Sequence, residues 1–456
     1  MQHKTFYIKT FGCQMNIRDT EIMAQTLSEN GYIESCSIED ASLVILNTCS
    51  IRAKAEQKVF SLLGSLRRNK QANPLMQICV AGCVAQQEGQ KIIERMPHVD
   101  LVIGTQHIYN LAQLLENSAV NRTAVNLADD YEIPRFVPDV STSRSQQKTA
   151  PPAPPPRFQY SRFVTIMQGC NNFCTYCVVP YTRGREVSRR VVDILDEIRL
   201  LVDSGVSEIT LLGQNVNSYG RVNPVSEDGT PFSFAMLLHR VAGIDGLKRL
   251  RFTTSNPRDL SAELINCFAE IDILCPQFHL PVQSGSDAVL KRMNRKYTID
   301  QYLDMVKRLR GACPDIALTT DMIIGFPGET HRDFQDTLDL LETVRYNGSF
   351  SFKYSDRPGT RAQQLADKVP EEVKSERLQI FQKRQDEISL ERNREYLGNV
   401  VKIRVEKVSA EGVTGRTATN HIVHLPPEHN TVRPGDYIDV TVSFAGQHAL
   451  KAVLLS

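Results

Sequence analysis

The 456-residue sequence predicts an α/β protein made of two successive strand–helix alternations and a small all-β end. Three observations carry that expectation. Short apolar runs alternate with amphipathic stretches up to about residue 140 and again from about 158. Between them lies Ser141–Arg157, STSRSQQKTAPPAPPPR, whose prolines and small polar residues cannot build a core and read as an extended linker. From Val400 onward the pattern changes to period-two alternation between Gly, Asn and Pro turns.

In the first part, Thr5–Thr10 reads as a strand and Asp19–Asn30 as an amphipathic helix. Ser42–Asn47 is a continuous apolar strand followed by a helix over Ala55–Arg68, and Met76–Ala81 is a strand followed by a helix from Gln86 to Met96. Leu101–Gly104 is a fourth strand. This βαβα order predicts a parallel sheet covered by helices, flavodoxin-like in kind. The second part offers six strands: Phe163–Met167, Glu208–Leu212, Leu250–Thr254, Gln277–Leu280, Ala317–Ile324 and Phe350–Tyr354. Helical patterns at Val191–Asp203, Phe234–Ala242, Ala262–Ile271, Ile299–Arg310 and Arg332–Arg345 separate them, so this part reads as a partial (β/α)6 barrel. Glu371–Tyr396 is a charged connecting helix, and five short strands after Val400 predict a closed, OB-like barrel. The expected domains are 1–140, 158–395 and 396–456, with 141–157 as linker.

Bulk properties narrow the class without identifying a partner. Hydrophobic residues make up 41% and charged residues 23%, ordinary for a globular chain, and the net charge is +1. No run of 18 apolar residues occurs and the amino terminus lacks an apolar export segment, so the expectation is a cytoplasmic protein with no membrane partner. The 11 cysteines then point to metal or catalysis rather than disulfides.

Cys170, Cys174 and Cys177 form a C-x-x-x-C-x-x-C run directly after an expected strand. Random placement of the cysteines would give such a run on the order of 0.006 times per chain. Three thiolates on one loop can hold three irons of a cubane cluster and leave the fourth open to bind and reduce a small molecule. A Cys₃His zinc site is the alternative; no His lies between His107 and His239, so its fourth ligand would come from a distance. Cys13, Cys49 and Cys83 each follow one strand of the first sheet. In an open parallel sheet those loops share one edge, so the three thiols can converge on a second cluster. Gly12 and Gly82 precede two of them and would let backbone approach a bulky ligand.

The motif set resembles the radical S-adenosylmethionine methylthiotransferases, in their MiaB-type, tRNA-modifying branch. The resemblance rests on TFGCQMN (Thr10–Asn16), NTCSIRAKAEQKVFSLLG (Asn47–Gly64), GCVAQQEG (Gly82–Gly89), GCNNFCTYCVVPYTRGRE (Gly169–Glu186), LLGQNVNSYG (Leu211–Gly220), TSNP (Thr254–Pro257), HLPVQSGS (His279–Ser286), DMIIGFPGET (Asp321–Thr330) and YSDRPGTRA (Tyr354–Ala362). It implies a radical cluster on Cys170, Cys174 and Cys177, a sulfur-donating cluster on Cys13, Cys49 and Cys83, both [4Fe–4S], and an RNA-binding TRAM domain at the end of the chain. S-adenosylmethionine would be both methyl donor and radical source. Tyr176, Gln214, Asn215, Ser255, Asn256, Gln283, Ile324 and Gly325 would contact it, and Arg183 and Arg357 would contact the substrate. Further arginines and lysines, Arg185, Arg189, Arg190, Lys291, Arg292, Arg295 and Lys296, would meet phosphates or form solvated faces. The implied substrate is isopentenylated adenosine 37 in the tRNA anticodon stem-loop, with a flavodoxin or ferredoxin as reductant and a monomeric enzyme. Sister branches act on threonylcarbamoyladenosine or on a ribosomal-protein aspartate. The segments Gly12–Asn16 and Pro281–Ser284 differ from those branches and favour isopentenyladenosine.

Overall fold

The computed structural model describes residues 4–50, 53–138, 160–226, 228–253, 255–427 and 432–455, the side chains of residues 53–56 excepted. The Pro-rich segment Ser141–Arg157 and Thr254 of the TSNP motif lie outside the described residues.

The first strands are β1 (Thr5–Thr10), β2 (Ile33–Glu34), β3 (Leu43–Thr48), β4 (Gln77–Gly82), β5 (Leu101–Ile103) and β6 (Thr123–Ala124). They form one parallel sheet in the order β2-β1-β3-β4-β5-β6. The first five follow the flavodoxin-like order. Every residue of β3 is buried, as a central strand covered on both faces requires. Alternate side chains feed two cores: Phe6, Leu43, Ile45, Cys79 and Leu101 on one face, Val44, Leu46, Ile78, Val80 and Val102 on the other. The first helix runs over Gln14–Glu29, starting directly behind Cys13 rather than at Asp19, because Asn16 accepts the Cys13 backbone N–H and caps the turn. The helix expected from Gln86 to Met96 is two short pieces, Cys83–Glu88 and Gln90–Arg95, meeting at Gly89.

The central strands are β7 (Ser161–Thr165), β8 (Met167–Gln168), β9 (Val187–Ser188), β10 (Glu208–Leu212), β11 (Arg249–Thr253), β12 (Gln277–His279), β13 (Ala317–Ile324) and β14 (Gly348–Lys353). β7, β10 and β11 pair in parallel, as do β12, β13 and β14. The bridge between Leu250 and Leu274 joins the two groups into a six-stranded arc. Met167, expected to end the first strand, turns away with Gln168 to pair antiparallel with Val187–Ser188 and carries the chain into the cysteine loop. Helices Phe234–Ala242, Ala262–Glu270, Asp287–Arg292, Ile299–Ala312 and His331–Val344 each begin at a Ser or Thr whose hydroxyl accepts an orphan N–H of the first turn. Each such cap is worth about 1 kcal/mol.

The final strands β15 (Val400–Ser409), β16 (Gly412–Thr417), β17 (Ile422–Leu425), β18 (Tyr437–Ala445) and β19 (Ala449–Leu454) close a barrel in the order β15-β16-β17-β19-β18 around Ile403, Val405, Val423, Val440 and Leu450. This barrel docks on the amino-terminal ends of β10 and β11. Arg249 donates to the carbonyls of Arg416 (2.7 Å) and Lys402 (2.9 Å), and Arg251 to those of Thr417 and Ala418 (both 2.8 Å). The loops that follow the strands, where the predicted ligands lie, are on the opposite rim.

Candidate functional site

The N-terminal thiols are brought together by side-chain amides beside them. Asn16, in the first turn after Cys13, donates to the Asn47 side chain (3.1 Å) and the Thr48 carbonyl (3.0 Å), and Asn47 returns a bond to the Asn16 carbonyl (2.8 Å). Thr48 donates to the Ala81 carbonyl at 2.6 Å, tying the second loop to the third. All three residues are fully buried or nearly so. A side chain on Gly12 would overlap the Cys49 Cβ, and one on Gly82 would overlap the Thr48 backbone. These glycines therefore let one cysteine loop approach another, rather than a ligand.

Cys13 and Cys49 are hydrogen-bonded, which lowers the Cys13 thiol to about 6 against the penalty of burial. Cys83 lies close enough to feel the charge of Cys13, and burial, the larger effect, pushes its thiol up. Arg183 of the central part reaches this group. Its guanidinium grips Asp19 at 2.6 and 3.4 Å, its charge acts on Cys83, and the residue is 3% exposed. The sequence suggested a phosphate contact for Arg183, but this buried pair removes it from the surface.

Cys170, Cys174 and Cys177 all line one cavity of about 300 Å³. Burial pushes Cys170 up to about 11 and Cys177 up to about 12, so both keep their protons until a positive partner arrives. Their loop is pinned from the turn behind Asp287–Arg292. Asn294 donates to the Phe173 carbonyl (3.0 Å), the Thr175 N–H donates to the Met293 carbonyl (3.0 Å), and Arg295 places Nη1 3.4 Å from the Cys174 sulfur. Arg295 also holds the Pro281 carbonyl and the Tyr297 hydroxyl, so it serves the site rather than a phosphate. Arg189 is likewise buried, on Glu197 at 2.6 Å, and Arg292 pairs with Asp367 at 2.6 Å. Arg185 lies over the Phe173 ring, and Lys291 and Lys296 are exposed.

The same cavity is lined by Tyr176, Gln214, Asn215, Ser255, Asn256, Gln283 and Arg357. Ser50, next to Cys49, also lines it, so the cavity of the central cysteines extends to the residue that follows one N-terminal cysteine. Gln214 accepts the Gly169 N–H at 2.6 Å and thereby shapes the cysteine loop. Asn215 spends its amide on Asp259 (2.7 Å), Ser218 (3.0 Å) and the Asn256 N–H (3.1 Å), which fixes the neighbouring loop. Among the described residues the buried Ser255 hydroxyl has no partner, and Ser255 lines the cavity. Ile324 and Gly325 do not line the cavity. Ile324 is 1% exposed in the core, and the Gly325 N–H is held by Glu329 at 3.0 Å. Because side chains alternate along β13, Ile323 and Asp321 face the cavity instead.

Among the described residues no three His, Cys, Asp or Glu groups close on a point suited to one ion. A cubane cluster bonds each thiol to a different iron and asks for thiols around a void, which both trios can provide. The donor chemistry fits: three soft thiols per group, one buried guanidinium beside each, and the one carboxylate near the first group already paired. Asn16, Asn47, Asp19, Asn294 and Asp321 are residues of the site that the sequence reading did not single out, and Arg295 was read there as a phosphate contact or solvated face. For Asn16 and Asn47 a signal existed, since each stands two or three places from a cysteine inside a quoted motif.

Comparison with known proteins adds the following. Residues 5–104 match uncharacterized protein family UPF0004, and residues 164–341 match the radical SAM superfamily. A tRNA-2-methylthio-N(6)-dimethylallyladenosine synthase from Desulfotalea psychrophila is 60% identical over 457 residues, covering 100% of both chains. One from Syntrophotalea carbinolica is 46% identical, covering 98% of this chain and 99% of that one. Among solved structures, the radical S-adenosylmethionine methyltransferase TsrM from Kitasatospora setae, with tryptophan and a SAM analogue bound, aligns with a TM-score of 0.55 at 14% identity, covering 79% of this chain and 75% of that one. The cobalamin-dependent S-adenosylmethionine radical enzyme OxsB aligns with a TM-score of 0.52 at 14% identity, covering 83% and 56%. At such identities the likeness is one of fold.

Proposed function

The chain belongs to the tRNA-2-methylthio-N(6)-dimethylallyladenosine synthases, radical S-adenosylmethionine enzymes that methylthiolate tRNA, and from that premise we propose how its residues divide the work. Cys170, Cys174 and Cys177 hold the radical cluster, and Cys13, Cys49 and Cys83 hold the sulfur-donating one. When bound, the two clusters and S-adenosylmethionine supply one-electron chemistry and the sulfur. Carbon 2 of adenine carries no acidic proton and no leaving group, so acid–base catalysis has little to act on there.

The chain's own residues bind, orient and exclude water. Ser255 donates its unpartnered hydroxyl to the cofactor, and Gln283, Asn256 and Tyr176 line the same cavity. Gln214 and Asn215 are positioning residues, since their amides are committed to the Gly169 and Asn256 backbones. Val178, Val179, Ile323 and Phe352 give the cavity an apolar wall against water. The target is adenosine 37 of the anticodon loop, whose base can be splayed out of its stack and admitted to the cavity. Arg357, on the cavity rim, is its cationic contact.

The observation that carries this reading is the single cavity lined both by Ser50, beside Cys49, and by the central cysteines. A nucleoside held there lies within reach of both groups. The domains 1–140, 158–395 and 396–456 would supply the sulfur site, the radical site and an RNA-binding barrel. Among the described residues no helix is long and apolar enough to cross a membrane. A cytoplasmic monomer reduced by a flavodoxin or ferredoxin completes the proposal. Nucleoside analysis of tRNA from cells lacking the protein tests it. The methylthio nucleoside should vanish and its isopentenyl precursor accumulate; persistence of the methylthio form refutes the reading.

A further inference from the structure

Each cysteine group has one buried guanidinium beside it. Arg295 stands 3.4 Å from the Cys174 sulfur and comes from the same part of the chain. Arg183 comes from a different part than the thiols it meets. It lies six residues past Cys177, at the end of the short helix Val179–Thr182, where its N–H closes on the Val179 carbonyl at 2.8 Å. From there its side chain crosses into the N-terminal part and takes Asp19 at 2.6 Å, where its charge acts on Cys83. Asp19 lies on the helix that starts behind Cys13, so the pair spans two of the three thiol-bearing segments. Nearby, the Thr105 hydroxyl donates to the Thr182 carbonyl at 2.7 Å and fixes the turn that delivers Arg183.

We propose that Arg183 is a positioning residue for the N-terminal sulfur site. Its guanidinium, buried behind the N-terminal thiols on Asp19, raises the reduction potential of the group held there, with Asp19 as the opposing charge. The inference rests on the assignment of Cys13, Cys49 and Cys83 as cluster ligands. Reduction adds one negative charge to a cluster, and a fixed cation nearby stabilises that added charge. Burial strengthens the effect, because Arg183 and Asp19 are each 3% exposed and little water screens them. Asp19 works in the opposite direction, so the pair sets the potential by difference. The same contact makes the sulfur site dependent on domain docking, since separation of the two parts withdraws the cation.

The test uses the full chain with Cys170, Cys174 and Cys177 replaced by Ala, so that only the N-terminal cluster titrates. Its midpoint potential is read from the electron paramagnetic resonance signal of the reduced cluster. In that background Arg183→Gln should lower the midpoint, Arg183→Lys should stay close to the parent, and Asp19→Asn should raise it. Opposite shifts for Arg183→Gln and Asp19→Asn separate an electrostatic role from a merely structural one, which would disturb both alike. Iron-replete variants with midpoints equal to the parent overturn the role of Arg183 alone. A parent that binds no iron at all overturns the ligand assignment on which the proposal stands.

Discussion

Glu208 opens β10 and is the one carboxylate facing three buried arginines at the junction with the C-terminal barrel. Arg404 approaches it at 3.3 Å, Arg251 at 3.6 Å and Arg249 at 3.9 Å. Glu208 is 3% exposed and the three arginines lie between 5% and 7%. Two of them also make the four bonds to barrel carbonyls that form the dock. Replacing Glu208 by Ala leaves three like charges buried together, with Glu406 near Arg404 as the remaining ion-pair partner among the described residues. Removing one partner of a buried pair costs about 3–5 kcal/mol. The remaining hydrogen bonds and Glu406 argue for the lower end, about 3 kcal/mol, or roughly a hundredfold in the docking equilibrium. Hydrogen exchange read by mass spectrometry over β15–β19 should report that loss as faster exchange, while exchange in β1–β5 stays unchanged. The effect has a defined pH window. Burial opposes ionisation of Glu208, but Arg251, Arg404 and Arg249 outweigh it and hold the carboxyl below its ordinary value. A depressed carboxyl contributes stability above its unfolded pKa and loses it as pH falls through the folded one. The gap between wild type and Glu208→Ala should therefore hold from pH 7 to 5 and close only below about pH 4. A loss under about 0.5 kcal/mol at pH 7 would refute the reasoning, because it is the size expected of a solvated surface pair.

Other substitutions separate structure from chemistry. Gly169→Ala should halve the iron content: φ is +80° there and an added Cβ would overlap the Arg185 carbonyl, which displaces the loop of Cys170. Ser255→Ala should raise the KM for S-adenosylmethionine roughly five- to tenfold without lowering the melting temperature, since its hydroxyl bonds none of the described residues. Cys170→Ala should abolish 5′-deoxyadenosine formation, whereas Cys83→Ala should keep much of it and stop sulfur insertion; equal loss of both activities would contradict separate roles. Cys79→Ala should cost about 1–2 kcal/mol of packing in thermal unfolding and leave activity intact, because Cys79 is buried mid-strand among Leu43, Ile45 and Leu101.

The cysteines were legible because topology alone aligns them: each N-terminal one follows a strand, and parallel strands end on one edge. The central strands were legible for the same reason, since apolar runs of five or more residues keep a clear period. Edge strands Ile33–Glu34 and Thr123–Ala124 were not, because two residues hold no periodicity. Arg183 was misread for a different reason. Its partner Asp19 lies 164 residues earlier, and nothing local to GRE says which arginine of the run turns inward. Glu208 is alike, since its partner Arg404 is 196 residues away. Long-range charge pairing is settled by packing, and a sequence pattern carries only the near neighbours.

The central claim is that two cysteine groups, one lining a cavity that extends to Ser50 beside the other, act together on one nucleoside. It is tested most directly by anaerobic reconstitution of the purified chain, followed by iron analysis and incubation with S-adenosylmethionine, a reductant and an isopentenylated anticodon stem-loop RNA. The account predicts about eight irons per chain, together with 5′-deoxyadenosine and an adenosine carrying one methylthio group in place of hydrogen. Two zincs per chain, or full iron with S-adenosylmethionine cleaved and the RNA unchanged in mass, would contradict it.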